Sequence, residues 1–188
     1  MKQLFFDLET TGVEPEKNGI HQLSGIIVID GDKKEEFDIR IRPAEGLVIE
    51  DAALEVSGVT REQIASYQSE KEALKQFIGI LSRYVDRFNT KDKFFLTGYN
   101  NASFDNKFLR AFFTRNNDKY FGSWFWSNSI DVMVLATQYL SERRAEMVNF
   151  KLGTVADFMG VKVEGEALHN AMYDIYLTRE IYNIVTSR

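Results

Sequence analysis

Phe6-Asp7-Leu8-Glu9-Thr10-Thr11-Gly12 ends an apolar run that begins near Lys2. Residues Lys2 to Leu8 read as a strand, and Leu4-Phe5-Phe6 is apolar on both faces, as at the centre of a covered sheet. Side chains on a strand alternate with period two, so Asp7 and Glu9 point to the same side at its C-terminal end. Two like charges ~4 Å apart repel by roughly 4 kcal/mol at an effective dielectric near 20. The pair therefore predicts a compensating cation or a raised pKa. Mg²⁺ or Mn²⁺ is the natural partner, because both prefer carboxylate oxygen. A solvated strand end with two surface acids is the competing reading, since the D-x-E spacing alone is weak. The Thr-Thr-Gly turn sharpens the first reading, because hydroxyls and a small residue suit close approach of a polar ligand to the backbone.

Outward from this strand, His21 to Ile29 reads as a second one, ending in the hairpin signal Asp30-Gly31. Glu36 to Arg42 follows, with Phe37, Ile39 and Ile41 alternating against Asp38, Arg40 and Arg42, so one face is wet. A short helix is expected over Asp51 to Glu55, and Thr60 with Gln63 has capping-box spacing. Ser69 to Phe88 is amphipathic, with Leu74, Phe77, Ile78, Leu81, Val85 and Phe88 on one stripe. Lys93 to Tyr99 reads as a strand and Ser103 to Asn116 as a helix. A short strand near Ser129 leads into a helix from Asp131 to Leu140. Leu152 to Met159 and Leu168 to Ile184 complete the helices. A meander followed by strand–helix alternation implies an α/β fold, a mixed sheet covered by helices.

Two further stretches carry acids. In Gly98-Tyr99-Asn100-Asn101-Ala102-Ser103-Phe104-Asp105 a strand gives way to a helix, and ligands bind at such carboxyl ends in open α/β sheets. Asp105 falls in the first helical turn, where the dipole also favours a carboxylate with no further function. Phe104 is equally a core residue or a surface for stacking. In His169-Asn170-Ala171-Met172-Tyr173-Asp174 five positions of one helix would turn the side chains ~140° apart. They serve one site if His169 lies on the entering loop. Asp174 has Ala171, Ile175 and Thr178 on its inward side, where an acid is costly unless paired or bound to metal.

Together these stretches resemble the DEDD superfamily of 3′–5′ exonucleases, histidine-containing branch, which includes the proofreading epsilon subunit of bacterial DNA polymerase III, RNase T and oligoribonuclease. Asp7-x-Glu9 is similar to its first motif, Asn100 with Phe104-Asp105 to its second, and His169-x-Ala171-x-x-Asp174 to its third. Tyr99 and Asn170 differ from the residues many members carry there. The resemblance implies an RNase H-like fold with a mixed five-stranded sheet. It implies that Asp7, Glu9 and Asp174 hold one Mg²⁺ or Mn²⁺, and that Asp7 and Asp105 hold a second. His169 would take the proton from the attacking water. Leu8, Glu9, Thr10, Thr11, Asn100 and Phe104 would contact the terminal nucleotide. Products would be nucleoside 5′-monophosphates.

Bulk properties bound the partners. The chain has 188 residues, which fits one domain over 1–188. There are no cysteines and two histidines, which excludes disulfides and thiolate zinc and leaves little for a His-based site. A net charge of −5 argues against broad coating of duplex phosphates but leaves a small metal-dependent site open. No apolar run approaches a membrane span, and no signal-peptide pattern opens the chain, so a cytoplasmic protein is expected. Expected partners are single-stranded 3′ ends, with DNA preferred to RNA, and a DNA polymerase among protein candidates. An oligoribonucleotide exonuclease and a catalytically silent binding module on the same fold are the alternatives. Phe121-Gly122-Ser123-Trp124-Phe125-Trp126 reads as a cap over the core. Lys107, Arg110 and Arg115 line the path of a strand or solvate a helix face, and Arg143-Arg144 with Lys151 is the nearer phosphate candidate.

Overall fold

The strand that carries Asp7 and Glu9, β1 (Lys2–Thr10), has paired neighbours on both sides, and that position governs the rest. The computed structural model describes residues 1–163 and 170–187. β1 pairs antiparallel with β2 (Ile20–Ile29), which pairs antiparallel with β3 (Asp32–Arg42). Asp30 and Gly31 join the last two with φ of 54° and 89°, the left-handed pair that a two-residue hairpin requires. β3 starts four residues before the expected Glu36, because the charged run Asp32-Lys33-Lys34-Glu35 is ladder rather than loop.

Helices α1 (Asp51–Ser57) and α2 (Arg61–Ala65) follow. Thr60 and Gln63 form the expected reciprocal capping box at the start of α2. A two-residue strand, β4 (Gln68–Ser69), then pairs parallel with the end of β3 and adds a sixth strand to the five expected. Ser69 caps α3 (Glu70–Leu81), again with a box, to Glu72. The helix stops at Ser82, so Val85 still reaches the core from the following turn while Phe88 is 82% exposed. The stripe predicted through Phe88 is therefore one turn too long.

β5 (Phe95–Gly98) lies parallel to β1 on its other side, and α4 (Asp105–Arg115) follows it. The short α5 (Phe121–Trp124) buries Phe121, Trp124 and Phe125 against Phe113 and Phe77, the expected core cap. β6 (Ile130–Asp131), α6 (Val132–Tyr139), a 3₁₀ turn over Ser141–Glu146, α7 (Leu152–Phe158) and α8 (Ala171–Thr186) complete the described chain. The sheet order is β4-β3-β2-β1-β5-β6, a mixed sheet flanked by helices.

Both faces of β1 and β2 are covered, which explains their almost continuous burial. On one face Leu4, Phe6, Leu23 and Ile27 meet α3 and α4 through Phe77, Phe108 and Phe112. On the other, Phe5, Ile26 and Val28 meet Ile175 of α8. Gly25 is required by the first of these layers. A Cβ placed on it would sit 2.5 Å from Phe37 Cζ and 3.0 Å from Leu4 Cδ1, and the Phe37 ring is backed by Phe77 at 5.6 Å between centroids. No helix among the described residues is long and apolar enough to cross a membrane.

Gly25→Ala is expected to cost about 1–3 kcal/mol, the usual penalty of an overpacked core. In urea titrations the midpoint should fall at constant slope. Adding Phe37→Leu to Gly25→Ala should recover part of the loss, because the clash is with that ring. A double variant no better than the sum of its parts would place the strain elsewhere.

Candidate active site

Asp7 and Glu9 leave β1 on the face that α8 covers. The register sets polar residues in rows beside them. Asp7 stands opposite Ser24 and Asp38, and Glu9 opposite Gln22 and Arg40. Gln22 Nε2 donates to Asp38 Oδ1 at 2.7 Å and to Ser24 Oγ at 3.2 Å, and Ser24 Oγ donates to the same Asp38 oxygen at 2.8 Å. Arg40 donates from Nε to Asp38 Oδ2 at 3.2 Å and from Nη1 to Gln22 Oε1 at 2.9 Å. This network was not foreseen as part of the site. Its signal was present in Gln22 and Ser24, at alternate positions of a strand that is apolar after them.

Asp105 is the first residue of α4 and is 6% exposed. Its Oδ1 accepts the Leu8 N–H at 3.3 Å, so the second acid is tied to the strand that carries the first pair. Leu8 itself is core. Phe104 precedes the helix, half-buried, with its ring 4.9 Å from that of Phe108. Phe108 and Phe112 are fully buried, so this row is core, with Phe104 packed at its edge.

Asp174 lies in the first turn of α8, whose start is capped by Asn170 Oδ1 accepting from the Met172 and Tyr173 N–H groups. It lines a cavity of about 460 Å³ together with Lys151, Thr154, Asp157 and Val163. His169 lies outside the described residues.

The acids act on one another. Burial pushes the Asp7 carboxyl well above the usual carboxylate range, and Asp105, Glu9 and Asp174 push it further. Burial raises Glu9 to about 7, with Asp174 and Asp105 adding and Arg40 opposing. Asp105 is also raised by burial to about 7, against the pull of the Leu8 N–H, with Asp131 adding to the rise. All four acids are thus within electrostatic reach. As the side chains stand, no three His, Asp or Glu among the described residues form a ready ion-holding group. The donor set nevertheless fits a hard divalent cation, being carboxylate oxygen throughout.

The loops around the acids are held internally. Thr10 Oγ1 donates to Gly12 O at 2.7 Å. Thr11 is fully buried, donating to Val48 O at 2.8 Å and accepting from the Gly19 N–H at 2.9 Å. A Cβ on Gly12 would meet the Asn18 amide at 2.3–2.5 Å, so this glycine makes room for Asn18, whose Nδ2 reaches Val48 O and Glu50. Asn100, at φ 61°, is held by its N–H to Asp131 Oδ1 at 3.0 Å, and Ala102 N–H reaches Asp131 Oδ2 at 3.3 Å. Asp131 also caps α6 through Met133, so one carboxylate serves both purposes. His21, at the β2 bulge opposite Glu9 and Thr10, is buried, and burial with Arg40 lowers it to about 4. Arg115 is spent on Glu70 at 3.1 Å and Arg143 on Glu146 at 3.0 Å.

The exonuclease family model RNase T matches residues 4–182. The DNA polymerase III PolC-type of Thermotoga petrophila is 26% identical over 176 residues, covering 94% of this chain and 11% of that protein. The PolC-type polymerase of Mycoplasmopsis pulmonis is 26% identical over 177 residues, again covering 94% and 11%. The chain therefore spans about a tenth of the length of these curated relatives. Among solved structures, E. coli exonuclease I in complex with a dT13 oligonucleotide superposes with a TM-score of 0.80 at 21% identity. It covers all of this chain and 41% of the exonuclease I chain, and the likeness is one of fold.

Raised carboxyls make the metal-free folded state bind protons more tightly than the unfolded chain. Stability is then greatest when they are protonated and falls as pH rises from about 4.5 through about 7. His21 works the other way, losing stability as pH drops from 6.5 toward 4, but it is one group against three. With chelator present, the Tm should therefore fall between pH 6 and 7.5, and less steeply in Glu9→Gln. Saturating Mn²⁺ should flatten or reverse the trend by mass action. A chelated protein whose Tm is level or rising across that range would contradict the carboxyl assignment.

Proposed function

Since the chain belongs to the RNase T exonuclease family, within the DEDD superfamily of 3′–5′ exonucleases, we propose that it removes nucleotides one at a time from a single-stranded 3′ end. What supports this reading is that Asp105, Glu9 and Asp174 all act electrostatically on Asp7, and that the carboxyls of Asp7, Glu9 and Asp105 are raised, first by burial. Asp7, Glu9 and Asp174 would hold one Mg²⁺ or Mn²⁺, and Asp7 with Asp105 a second. Divalent ions there supply charge neutralisation and Lewis acidity at the scissile phosphate.

The chain's own residues do the rest. His169, five residues before Asp174, would accept the proton of the attacking water, a task suited to imidazole near neutral pH. Phe104 would offer apolar surface to the terminal base. Thr10 and Asn100 would border the terminal nucleotide, Leu8 would position Asp105 through its N–H, and Thr11 would hold that loop in shape through its bonds to Val48 and Gly19. Asp131 would fix the Asn100 loop from behind. Products are nucleoside 5′-monophosphates.

DNA is the proposed substrate and a DNA polymerase the proposed protein partner. Support comes from the PolC-type names of the relatives and from the oligonucleotide bound to exonuclease I. The 1–188 span is proposed to work as one exonuclease domain in the cytoplasm.

The test is a time course on 5′-labelled and 3′-labelled single strands, DNA and matched RNA, with Mn²⁺ or with EDTA. The 5′-labelled strand should shorten by single nucleotides, and the 3′ label should leave at once as a mononucleotide. EDTA should stop both. A large RNA preference would reverse the DNA assignment. Asp7→Ala and Asp174→Ala should lose activity while remaining folded, and His169→Ala should lose roughly 10²–10⁴-fold. Full activity in both Asp variants would end the metal-site reading.

A further inference from the structure

Apart from the acid cluster, a groove of about 680 Å³ lies between α4 and residues 126–129. Its lining includes Asn106, Lys107, Arg110, Trp126 and Asn128, with Glu16 as its single carboxylate among the lining residues. Asn106 directly follows Asp105, so one end of the groove lies at the start of α4, although none of the four acids lines it. It runs from there past Arg110 to Thr114, eight residues on, a rise of about 12 Å.

The charges on this face have the sign the acid site lacks. Lys107 and Arg110 are exposed, and neither is in an ion pair among the described residues. Arg110 is held in place by lying 4.3 Å above the Phe121 ring, so its guanidinium is positioned by packing and not by a carboxylate. Arg115, further along, is already neutralised by Glu70. Opposite α4, half-buried Trp126 packs on Phe95 and forms an aromatic wall, with the Asn128 amide beside it. Two uncompensated cations, hydrogen-bonding amides and an indole in one groove match a phosphate backbone carrying unpaired bases. In a chain of net charge −5, two cations without an ion-pair partner among the described residues, on the helix that Asp105 begins, are a local feature and not a general one.

We propose that this groove holds the segment of single-stranded nucleic acid just 5′ of the terminal nucleotide, with Lys107 and Arg110 on its phosphates and Trp126 against its bases. The proposal rests on the exonuclease reading for the position of the 3′ end. It goes beyond that reading by assigning a second binding region, which the four acids do not require. The groove would set how long a substrate must be for full affinity, and the acids would set the chemistry.

The experiment separates the two regions. Binding of a fluorescent dT12 strand to the full chain is measured by anisotropy in EDTA, across a salt series. Hydrolysis of the p-nitrophenyl ester of thymidine 5′-monophosphate, which reaches only the terminal site, is measured with Mn²⁺. Lys107→Gln/Arg110→Gln should weaken dT12 binding roughly tenfold, and log affinity against log salt should become shallower by about 1.4, or ~0.7 for each lost contact on a single strand. Its ester kcat/KM should stay within twofold. Arg110→Lys keeps the charge and should bind dT12 nearly as the parent does, which separates lost charge from lost packing on Phe121. An unchanged salt slope in the double variant overturns the groove. Absence of ester hydrolysis by the parent chain overturns the nuclease reading, while the salt slope still decides the groove.

Discussion

Burial of carboxylates at the C-terminal end of the central strand is the constraint to which the rest of the structure answers. Asp7, Glu9 and Asp105 all lie where charge is costly, and each makes its neighbours harder to ionise. A chain selected for stability alone would separate them or pair each with a cation. Here the compensation inside the protein is small. Among the described residues it includes the Asp105 and Leu8 N–H groups on Asp105 and the Arg40 charge near Glu9. The sheet holds the acids in place despite their repulsion, because β1 is paired on both sides and packed on both faces. Residual repulsion of this kind is a reservoir that a divalent cation can discharge.

Much of this was legible from local rules. Period two was enough to put Asp7 and Glu9 on one face. Asp30-Gly31 and the Thr60/Gln63 box are signals of two and four residues, and both behave as backbone geometry demands. The illegible parts are those set by residues distant in sequence. Arg40 reaches the site only because β3 and β2 pair in one register, with Arg40 opposite Gln22. Asp131 could be read as a helix cap, and it is one, but its clamp on the Asn100 loop depends on β6 lying beside β5. Gly12 looked like an opening for a ligand, yet the space it leaves is taken by Asn18 from the far side of the same loop. The stripe through Phe88 failed for a different reason. Periodicity describes a helix but does not end it, and the backbone turns at Ser82 so that Val85 can reach the core.

The two charged regions of the surface bear on how an acidic chain can handle a polyanion. Net charge is a poor guide here because it averages over distances longer than the screening length, about 8 Å at physiological ionic strength. What a strand end meets is the local field. At the acid cluster that field would be repulsive until cations occupied it, so on the proposed function affinity for a nucleic-acid end would be conditional on metal. Along α4, Lys107 and Arg110, exposed and without an ion-pair partner among the described residues, would attract phosphate whether or not metal is present. Anchoring the helix by its buried face, through Phe108 and Phe112, ties the two fields together, because the same helix begins with Asp105 and presents Arg110 five residues on. A rigid element carrying an acid at its start and a cation one turn later fixes the spacing between chemistry and grip. Loop flexibility would not alter that spacing. Only breaking the packing of α4 on the sheet would.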